Sequence, residues 1–150
     1  MRVVIGLGSN LGDRAATLRT AIAKLRELTD VKKISRVYET APIGPEQPDY
    51  LNAAVLVEWS APLYDLLPEL LRIEKEMGRV RRERWQARTI DLDILWTDGE
   101  KIALPDLTVP HARLYERAFA VFPLLDVAPD APYERSAVAS QKIHATDETL

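Results

Sequence analysis

The chain has 150 residues, 47% hydrophobic and 29% charged, a composition typical of one globular domain that can bury a core of its own. It contains no cysteine, which excludes a disulfide framework, a thiol nucleophile and a thiolate metal site. The formal net charge is −3, but residues 79–88 hold five arginines against one glutamate, and such a focused cationic patch favours a small polyanion over a long nucleic acid.

The amino-terminal segment predicts a strand followed by a helix. Residues 2–7 are apolar enough for a buried strand, and Gly6 and Gly8 would let the backbone turn tightly after it. The glycine spacing in GLGSNLGD differs from the dinucleotide-binding fingerprint, and no Lys-Ser or Lys-Thr pair follows as in a phosphate loop. Asp13 is placed to cap a helix whose apolar stripe continues to about Leu28.

Two further strands and a second helix are predicted in the middle of the chain. The strands cover Ile34 to Tyr38 and Leu51 to Trp59, and the second is apolar enough to be central in a sheet. Between them, APIGPEQPDY holds three prolines and is predicted to be a stiff loop that shapes a pocket wall. The helix opens at Ser60 and Pro62, and its apolar positions are Leu63, Leu66, Leu67, Leu70, Leu71 and Met77. Pro68 should kink or delay this helix, and Gly78 should end it.

Residues 89–96 alternate cleanly and predict a half-buried strand. Ile90, Leu92, Ile94 and Trp96 point one way, and Thr89, Asp91, Asp93 and Leu95 point the other. The two carboxylates lie about 6.6 Å apart along the strand and can converge on one or two divalent cations. Oxygen ligands suit Mg²⁺, and the arginines just upstream suit phosphate oxygens. A solvated acidic face is the alternative, but the two features together predict a site for magnesium-assisted phosphoryl transfer.

The carboxyl-terminal third predicts smaller elements. Asp98 and Gly99 indicate a turn, with Lys101 to Ala103 as a short strand that pairs across it. Residues 107–125 combine a loop, a short helix and another apolar segment. Residues 136–150 are expected to form a weak helix or a frayed tail of the single domain 1–150.

The predicted order βαββαβ with carboxyl-terminal additions is that of an α+β, ferredoxin-like fold. In this arrangement the helices pack on one face of a mainly antiparallel sheet, and the other face is free for ligand. Because residues 1–10 are unlike a signal peptide and no apolar stretch spans a bilayer, we expect a cytoplasmic chain with no membrane partner.

Four segments in order give the chain a specific resemblance to a known family. They are GLGSNLGD (6–13), YETAPIGPEQPDYLNAAV (38–55), GRVRRERWQARTIDLDIL (78–95) and LTVPHARLYERAF (107–119). With them the chain resembles the 6-hydroxymethyl-7,8-dihydropterin pyrophosphokinases of folate biosynthesis. The resemblance implies a ferredoxin-like enzyme that moves pyrophosphate from ATP to the hydroxymethyl oxygen of the pterin and releases AMP, with two Mg²⁺ ions.

The resemblance also implies roles for individual residues. Asp91 and Asp93 match the metal-holding aspartates, and together with Arg79, Arg81 and Arg88 they form the implied catalytic set. The implied ATP-binding residues are Glu74, Arg79, Arg81, Trp85, Arg88, Thr108, His111 and Arg117. The implied pterin-binding residues are Thr40, Ala41, Ile43, Tyr50, Asn52, Trp85, Asp91 and Phe119, with Tyr50 and Phe119 on either side of the ring. The chain is expected to act as a monomer, with ATP and the pterin as its partners and no nucleic acid.

Several positions depart from the family pattern, and two other functions stay open. Gln86-Ala87, Ala112, Asp106 and Leu71 are the departures, and they bear on ATP affinity and rate rather than on the reaction. A ferredoxin-like sheet with a basic, tryptophan-containing loop also resembles some RNA-binding modules. The same carboxylates could instead serve a magnesium-dependent phosphohydrolase. Loops 41–49 and 79–88 are expected to close over bound ATP.

Overall fold

The computed structural model of the chain describes residues 1–41, 46–78, 90–138 and 141–150. In these residues the α-helices are α1 (Arg14–Leu28), α2 (Leu66–Glu76) and α3 (Ala118–Val127). The strands are β1 (Arg2–Ser9), β2 (Asp30–Ile34), β3 (Tyr38–Thr40), β4 (Tyr50–Glu58), β5 (Asp91–Thr97), β6 (Ile102–Leu104), β7 (Leu107–Val109) and β8 (Ile143–Ala145). Short 3-10 helices lie at Leu63–Asp65, Leu114–Glu116 and Arg135–Val138.

The main sheet has the strand order β5-β1-β4-β3-β8, and β2 pairs with β4 next to β3. Each of these described pairs is antiparallel. Because β2 and β3 occupy one position in the sheet, the order from β1 to β5 is the βαββαβ order of the ferredoxin-like fold. The predicted α+β fold class is confirmed.

Helices cover both faces of this sheet. Val3, Ile5 and Leu7 of β1 share a core with α1 and α2. Val4 of β1 belongs to a second core, on the opposite face, beneath α3. The prediction of a free second face is therefore wrong where α3 packs, because its apolar residues also need a buried surface. No helix of the described residues is long and apolar enough to cross a bilayer.

The helix ends agree with their predicted signals. Asp13 caps α1, since its Oδ1 accepts the N–H of Ala16 at 3.1 Å. A 3-10 turn precedes α2, and Pro68 lies in the first turn of α2, where its missing N–H leaves no bond unmade. Gly78 follows α2 with φ of 83°, a conformation that ends helices. The prediction that Leu71 belongs to the apolar stripe is wrong, because Leu71 is 50% exposed on the outer side of α2.

The prediction of a single strand from Ile34 to Tyr38 is wrong, because residues 35–37 separate two strands, β2 and β3. Ser35 donates its N–H to the Ala54 carbonyl at 2.9 Å, and its Oγ accepts the N–H of Ala54 at 2.8 Å. A side-chain oxygen thus takes the place of a backbone acceptor opposite β4. The predicted central strand, by contrast, is confirmed as β4, which lies between β1 and β3.

The strand predicted to pair across Asp98 and Gly99 pairs elsewhere. β6 pairs with β7 in a separate two-stranded sheet. Asp98 is instead bound by Arg2, whose N–H and Nε donate to its carboxylate at 2.8 and 3.0 Å. The turn after β5 is therefore held to the start of β1.

β5 contains a bulge that changes the predicted alternation. Ile94 pairs with Ile5, but Trp96 pairs with Val4, so that Leu95 is an extra residue in β5. Ile94 belongs to the core of α1 and α2, whereas Leu95 and Trp96 both belong to the core beneath α3. The predicted position of Trp96 on the face of Ile94 is wrong for this reason.

In the carboxyl-terminal segment, predicted to be a weak helix or a frayed tail, residues 136–138 belong to a 3-10 helix and residues 143–145 form a strand. Within it, β8 pairs antiparallel with β3. The Gln141 side-chain oxygen accepts the N–H of Ala118 at 2.9 Å, which satisfies a donor at the start of α3. Thr146 donates its N–H to the Val37 carbonyl at 2.8 Å. The segment is therefore tied to both the sheet and α3.

Candidate active site

The two aspartates lie on the α3 side of β5. Leu92 and Ile94 point into the core of α1 and α2, and side chains alternate along a strand, so Asp91 and Asp93 face the opposite way. Asp91 is half-buried and Asp93 is exposed. The strand therefore presents two carboxylates, with a buried leucine between them, on the part of the sheet that α3 leaves uncovered.

Two glycines of β1 lie beside the aspartates. Gly8 pairs with Asp91 and Gly6 pairs with Asp93. On its other side, Gly8 pairs with Asn52 of β4. Residues that pair across strands share a face of the sheet. The glycines thus form a floor between the carboxylates and the Asn52 amide that has no side chains of its own, with Leu95 packed over Gly6 and with Asn52 and Tyr50 beside Gly8.

The reason for these glycines differs from the sequence prediction. They do not form a turn after the strand, because β1 continues to Ser9. A Cβ on Gly8 would lie 3.1 Å from Asn52 Oδ1 and 3.4 Å from a Tyr50 ring carbon, and a Cβ on Gly6 would lie 2.9 Å from Leu95 Cδ1. Close approach of neighbouring side chains is therefore what requires glycine at both positions.

Asn52 and Thr40 form a buried polar pair opposite the aspartates. The Asn52 side-chain nitrogen donates to Thr40 Oγ1 at 2.7 Å. Both residues are at least nine-tenths buried. The bond fixes the orientation of the amide, and the Asn52 carbonyl oxygen is the atom nearest to the missing Cβ of Gly8. Ala41 follows Thr40 and is exposed.

Tyr50 and Phe119 both belong to the α3 side of the sheet. Tyr50 pairs with Thr40 at the start of β4, and Phe119 lies in the first turn of α3 and packs against the core beneath that helix. Both side chains are half-buried. The Arg117 guanidinium lies over the Phe119 ring, 5.5 Å from its centroid. The stacking of a flat ring between the two aromatics stays a prediction.

His111 is influenced by two charged groups of the candidate site. The backbone N–H of His111 donates to the Leu95 carbonyl at 2.9 Å, and this bond holds the segment after β7 against β5. Burial lowers the pKa of His111, the positive charge of Arg117 lowers it further, and the negative charge of Asp91 raises it. The structure therefore brings His111, Arg117 and Asp91 close enough for their charges to interact.

Two of the expected ATP-binding residues make other contacts in the structure. Glu74 is buried in α2, and its Oε2 accepts the N–H of Leu92 at 2.8 Å. Thr108 is exposed on β7 and pairs with Ala103 of the two-stranded sheet. Asp106 lies in the turn of the same sheet and accepts the Tyr64 hydroxyl at 2.6 Å.

The remaining predicted site residues lie outside the described residues. They are Ile43, Arg79, Arg81, Trp85 and Arg88, together with the departures Gln86 and Ala87. The loop closures that are predicted for 41–49 and 79–88 depend on the same segments and stay predictions.

Two residues that the sequence analysis did not single out hold the loop before β4. Asn10 is buried, and its side-chain nitrogen donates to Gln47 Oε1 at 2.7 Å and to the Pro48 carbonyl at 3.0 Å. Arg14 donates to the Asp49 carbonyl at 2.9 Å and to Glu39 at 2.8 Å. A polar Asn directly after a buried strand was the available sequence signal. These contacts fix one end of the wall beside Tyr50.

Among the described residues, no group of three or more histidine, aspartate or glutamate side chains could hold a metal ion. A metal at Asp91 and Asp93 would therefore need ligands beyond the carboxylates of the described residues, such as water or phosphate oxygens. Mg²⁺ is the ion that commonly binds in this manner.

Comparison with known proteins identifies the family of the chain. The family model described as 7,8-dihydro-6-hydroxymethylpterin-pyrophosphokinase (HPPK) matches residues 4–129. The 2-amino-4-hydroxy-6-hydroxymethyldihydropteridine pyrophosphokinase of Bacillus subtilis is 42% identical over 141 residues, which cover 92% of this chain and 84% of the relative. The protein of the same name from Aquifex aeolicus is 43% identical over 129 residues, covering 85% of this chain and 81% of the relative.

Solved structures support the fold. A crystal structure of HPPK-DHPS in complex with substrates matches with a TM-score of 0.63 at 15% identity, over 93% of this chain and 44% of that chain. Wild-type HPPK-DHPS of Plasmodium falciparum matches with a TM-score of 0.63 at 16% identity, over 93% of this chain and 43% of that one. This chain therefore spans less than half the length of those proteins.

The match to the family model covers most of the chain. The relatives near 40% identity carry the name of the same enzyme, and the alignments cover more than four-fifths of their length. All four segments of the sequence resemblance lie within the matched residues 4–129, and the solved HPPK-DHPS structures share the fold of the chain. The chain belongs to the 7,8-dihydro-6-hydroxymethylpterin-pyrophosphokinase family, an enzyme family, as its sequence resemblance predicts.

Proposed function

We propose that the chain transfers pyrophosphate from ATP to 6-hydroxymethyl-7,8-dihydropterin in a Mg²⁺-dependent reaction that gives AMP and the pterin pyrophosphate. The observation that carries the proposal is the placement of Asp91 and Asp93 on one face of β5, next to the floor of Gly6 and Gly8. Family membership supports the reaction, and this geometry supports where it takes place.

The donor set at the aspartates fits a hard cation. Asp91 and Asp93 offer carboxylate oxygens on one side of a strand, and the glycines that pair with them add no side chain of their own beside the carboxylates. Asp91 and Asp93 would hold two Mg²⁺ ions, and the chemistry that these would supply is charge neutralisation in an in-line displacement. Because both aspartates lie on one strand, their carboxylate oxygens and their negative charge are held in fixed positions.

The ATP phosphates are proposed to bind beside His111 and Arg117. Arg117 is a fixed cation near the acidic pair, and its guanidinium can donate several hydrogen bonds to one phosphate. In the free protein the His111 ring can donate from Nε2, because its Nδ1 accepts a long hydrogen bond from the Arg113 N–H, at 3.4 Å. The resemblance to the family implies that Arg79, Arg81, Trp85 and Arg88 bind the same nucleotide, and that role stays part of the proposal.

The pterin is proposed to bind over the glycine floor. Asn52 supplies an oriented amide for the aminopyrimidinone edge, and Thr40 keeps that amide in place. Tyr50 and Phe119 lie on the same side of the sheet and provide apolar faces for a flat ring. The hydroxymethyl group would then point towards Asp91 and Asp93. Catalysis in this arrangement comes from positioning and charge neutralisation rather than from a side-chain base.

The test is AMP release from ATP and Mg²⁺ in the presence and absence of the pterin alcohol. We expect AMP only when the pterin is present. Asp93→Ala should lower turnover by orders of magnitude while the protein stays folded, since two-metal chemistry depends on the carboxylate. Asp147→Ala, at an exposed residue of the carboxyl-terminal segment, is the matched control.

Two outcomes would contradict the proposal. Release of inorganic phosphate without pterin would indicate a phosphohydrolase, and salt-sensitive RNA binding without AMP formation would indicate a nucleic-acid module. An unchanged rate in Asp93→Ala would contradict the metal role alone. The monomeric state, the absence of a nucleic-acid partner and the cytoplasmic location stay predictions from the sequence.

A further inference from the structure

Glu74 is a buried carboxylate that contacts the strand of the aspartates. It is 4% exposed, near the end of α2. Its Oε2 accepts the backbone N–H of Leu92 at 2.8 Å. Leu92 lies between Asp91 and Asp93, so that the contact is one residue from each of the two proposed metal ligands.

The position of β5 explains why this bond matters. Within the described sheet, β5 is an edge strand that pairs with β1 on one side. The N–H of Leu92 points away from β1, because it donates to Glu74. A buried N–H without a partner costs about 1–3 kcal/mol. Glu74 supplies the acceptor that a further strand would otherwise provide.

The neighbouring glutamates of α2 have a different environment. Glu69 and Glu76 have side chains that are 38% and 41% exposed, and both accept hydrogen bonds from Arg72 on the helix surface. Exposed ion pairs of this kind contribute little to stability. Glu74 is the glutamate of this helix whose carboxylate is directed at the backbone of β5, and it is the one buried among the described glutamates.

We propose that Glu74 is a positioning residue, which fixes the backbone between Asp91 and Asp93 and so sets the direction of both carboxylates. The inference rests on the proposed function, since it assumes that the pair binds metal and phosphate. It replaces the nucleotide-contact role that the sequence resemblance implies for this residue. Groups that orient metal ligands from behind typically change metal affinity or activity by about 10–100-fold when they are removed.

The test compares two substitutions at Glu74. Glu74→Gln keeps an oxygen acceptor of the same length, whereas Glu74→Leu fills the space without an acceptor. Glu76→Leu, on the exposed side of the same helix, is the matched control. Turnover is measured over a range of Mg²⁺ and ATP concentrations, Mn²⁺ binding is followed by EPR, and hydrogen exchange is measured at the Leu92 amide.

We expect Glu74→Leu to raise the Mg²⁺ concentration for half-maximal turnover and to weaken Mn²⁺ binding, each by about tenfold or more. Exchange at Leu92 should accelerate by about tenfold, and the KM for ATP should change much less. Glu74→Gln should retain most of the wild-type Mg²⁺ dependence and of the Leu92 protection. Glu76→Leu should match the wild type.

Three results would overturn the inference. One is an unchanged Mg²⁺ dependence in a folded Glu74→Leu variant. Another is a raised KM for ATP in both variants without a change in metal binding, which would assign Glu74 to the nucleotide. If Glu74→Leu does not fold, rapid exchange at Leu92 in the wild type or in Glu74→Gln is the result that decides against it. Failure of the wild type to release AMP would instead contradict the proposed function. Exchange at the Leu92 amide would still report whether Glu74 holds the backbone of β5, since that measurement does not depend on turnover.

Discussion

The side-chain amide of Asn52 donates a 2.7 Å hydrogen bond to the hydroxyl of Thr40, and both residues are buried between the ends of β3 and β4. Because a buried amide without a partner is costly, this bond determines which way the amide points. The pair therefore links the stability of the sheet end to the recognition of a substrate edge.

Thr40→Val should weaken both properties. Valine has the shape of threonine but offers no acceptor, so the Asn52 amide loses its partner, and we expect a loss of about 1–3 kcal/mol in the free energy of unfolding. The KM for the pterin should rise, whereas the KM for ATP should stay near the wild-type value. Urea denaturation and steady-state kinetics measure the two effects. Thr20→Val, at an exposed position of α1, is the control, and equal effects in both variants would contradict the role of the buried bond.

Alanine at the two glycines of β1 should have different consequences. In Gly6→Ala the new Cβ meets the buried Leu95 at 2.9 Å, and overpacking of this kind costs about 1–3 kcal/mol of stability. In Gly8→Ala the new Cβ meets Asn52 Oδ1 at 3.1 Å and projects from the proposed pterin floor. We expect Gly8→Ala to lose pterin affinity with a smaller change in melting temperature. Calorimetric titration with the pterin and thermal melts compare the two, and normal pterin binding by Gly8→Ala would place the ring elsewhere.

His111 should take up a proton when ATP binds. In the free protein, burial and the charge of Arg117 hold its pKa below the ordinary value of 6.5. A bound polyphosphate adds negative charge and raises that pKa, so affinity for an ATP analogue should increase as the pH falls from about 7 towards 6. Calorimetry in buffers of different ionisation enthalpy counts the proton. His111→Gln should abolish the uptake and His144→Gln should retain it; equal uptake in all three proteins would exclude His111.

The same lowered pKa predicts how stability depends on pH. The unfolded chain binds a proton at this histidine more tightly than the folded chain does. The contribution of His111 to the free energy of unfolding should therefore fall as the pH drops below about 6.5, and the fall should end below the pKa of the folded state. Urea denaturation from pH 8 to pH 5 measures it, and His111→Gln should show a shallower decline than the wild type.

Tyr38 should stabilise the contact between β3 and α3. Its hydroxyl donates to Asp126 at 2.7 Å, and burial together with this bond raises its pKa to about 12. Tyr38→Phe should cost about 1.5–3 kcal/mol, the range for a hydrogen bond to a charged group. Because the unfolded chain releases this proton near pH 10, stability should decline as the pH rises from about 10 to 12. Denaturation across this range checks both statements, with Tyr115→Phe at a 61% exposed tyrosine as the control.

The sequence predicted the ends of the helices correctly, because the signals for these ends act between residues that are close in the chain. The Asp13 cap, the delay at Pro68 and the stop at Gly78 depend on neighbours in the chain, and all three are present. The bulge at Leu95 and the break at Ser35 depend instead on pairing with distant strands. Such pairing leaves no mark in the alternation of one segment.

The candidate site divides along the same line. The acid pair of Asp91 and Asp93 could be recognised because both residues lie on one strand at a spacing of two. Gly8 and Glu74 could not be assigned their contacts, since each acts on a residue of another element. Glu74 in isolation looks like any surface glutamate of a helix, and only packing of α2 against β5 shows that it is buried.

The extra residue at Leu95 lets a single strand serve two purposes along its length. The half before it carries acidic side chains outward beside two glycines of β1, and the half after it packs against α3 through Leu95 and Trp96. Transplanting the acid pair onto another scaffold would therefore require more than the letters Asp-x-Asp. The new strand would also need the bulge two residues after the second aspartate. Without the bulge, the tryptophan would point to the opposite face of the sheet from α3.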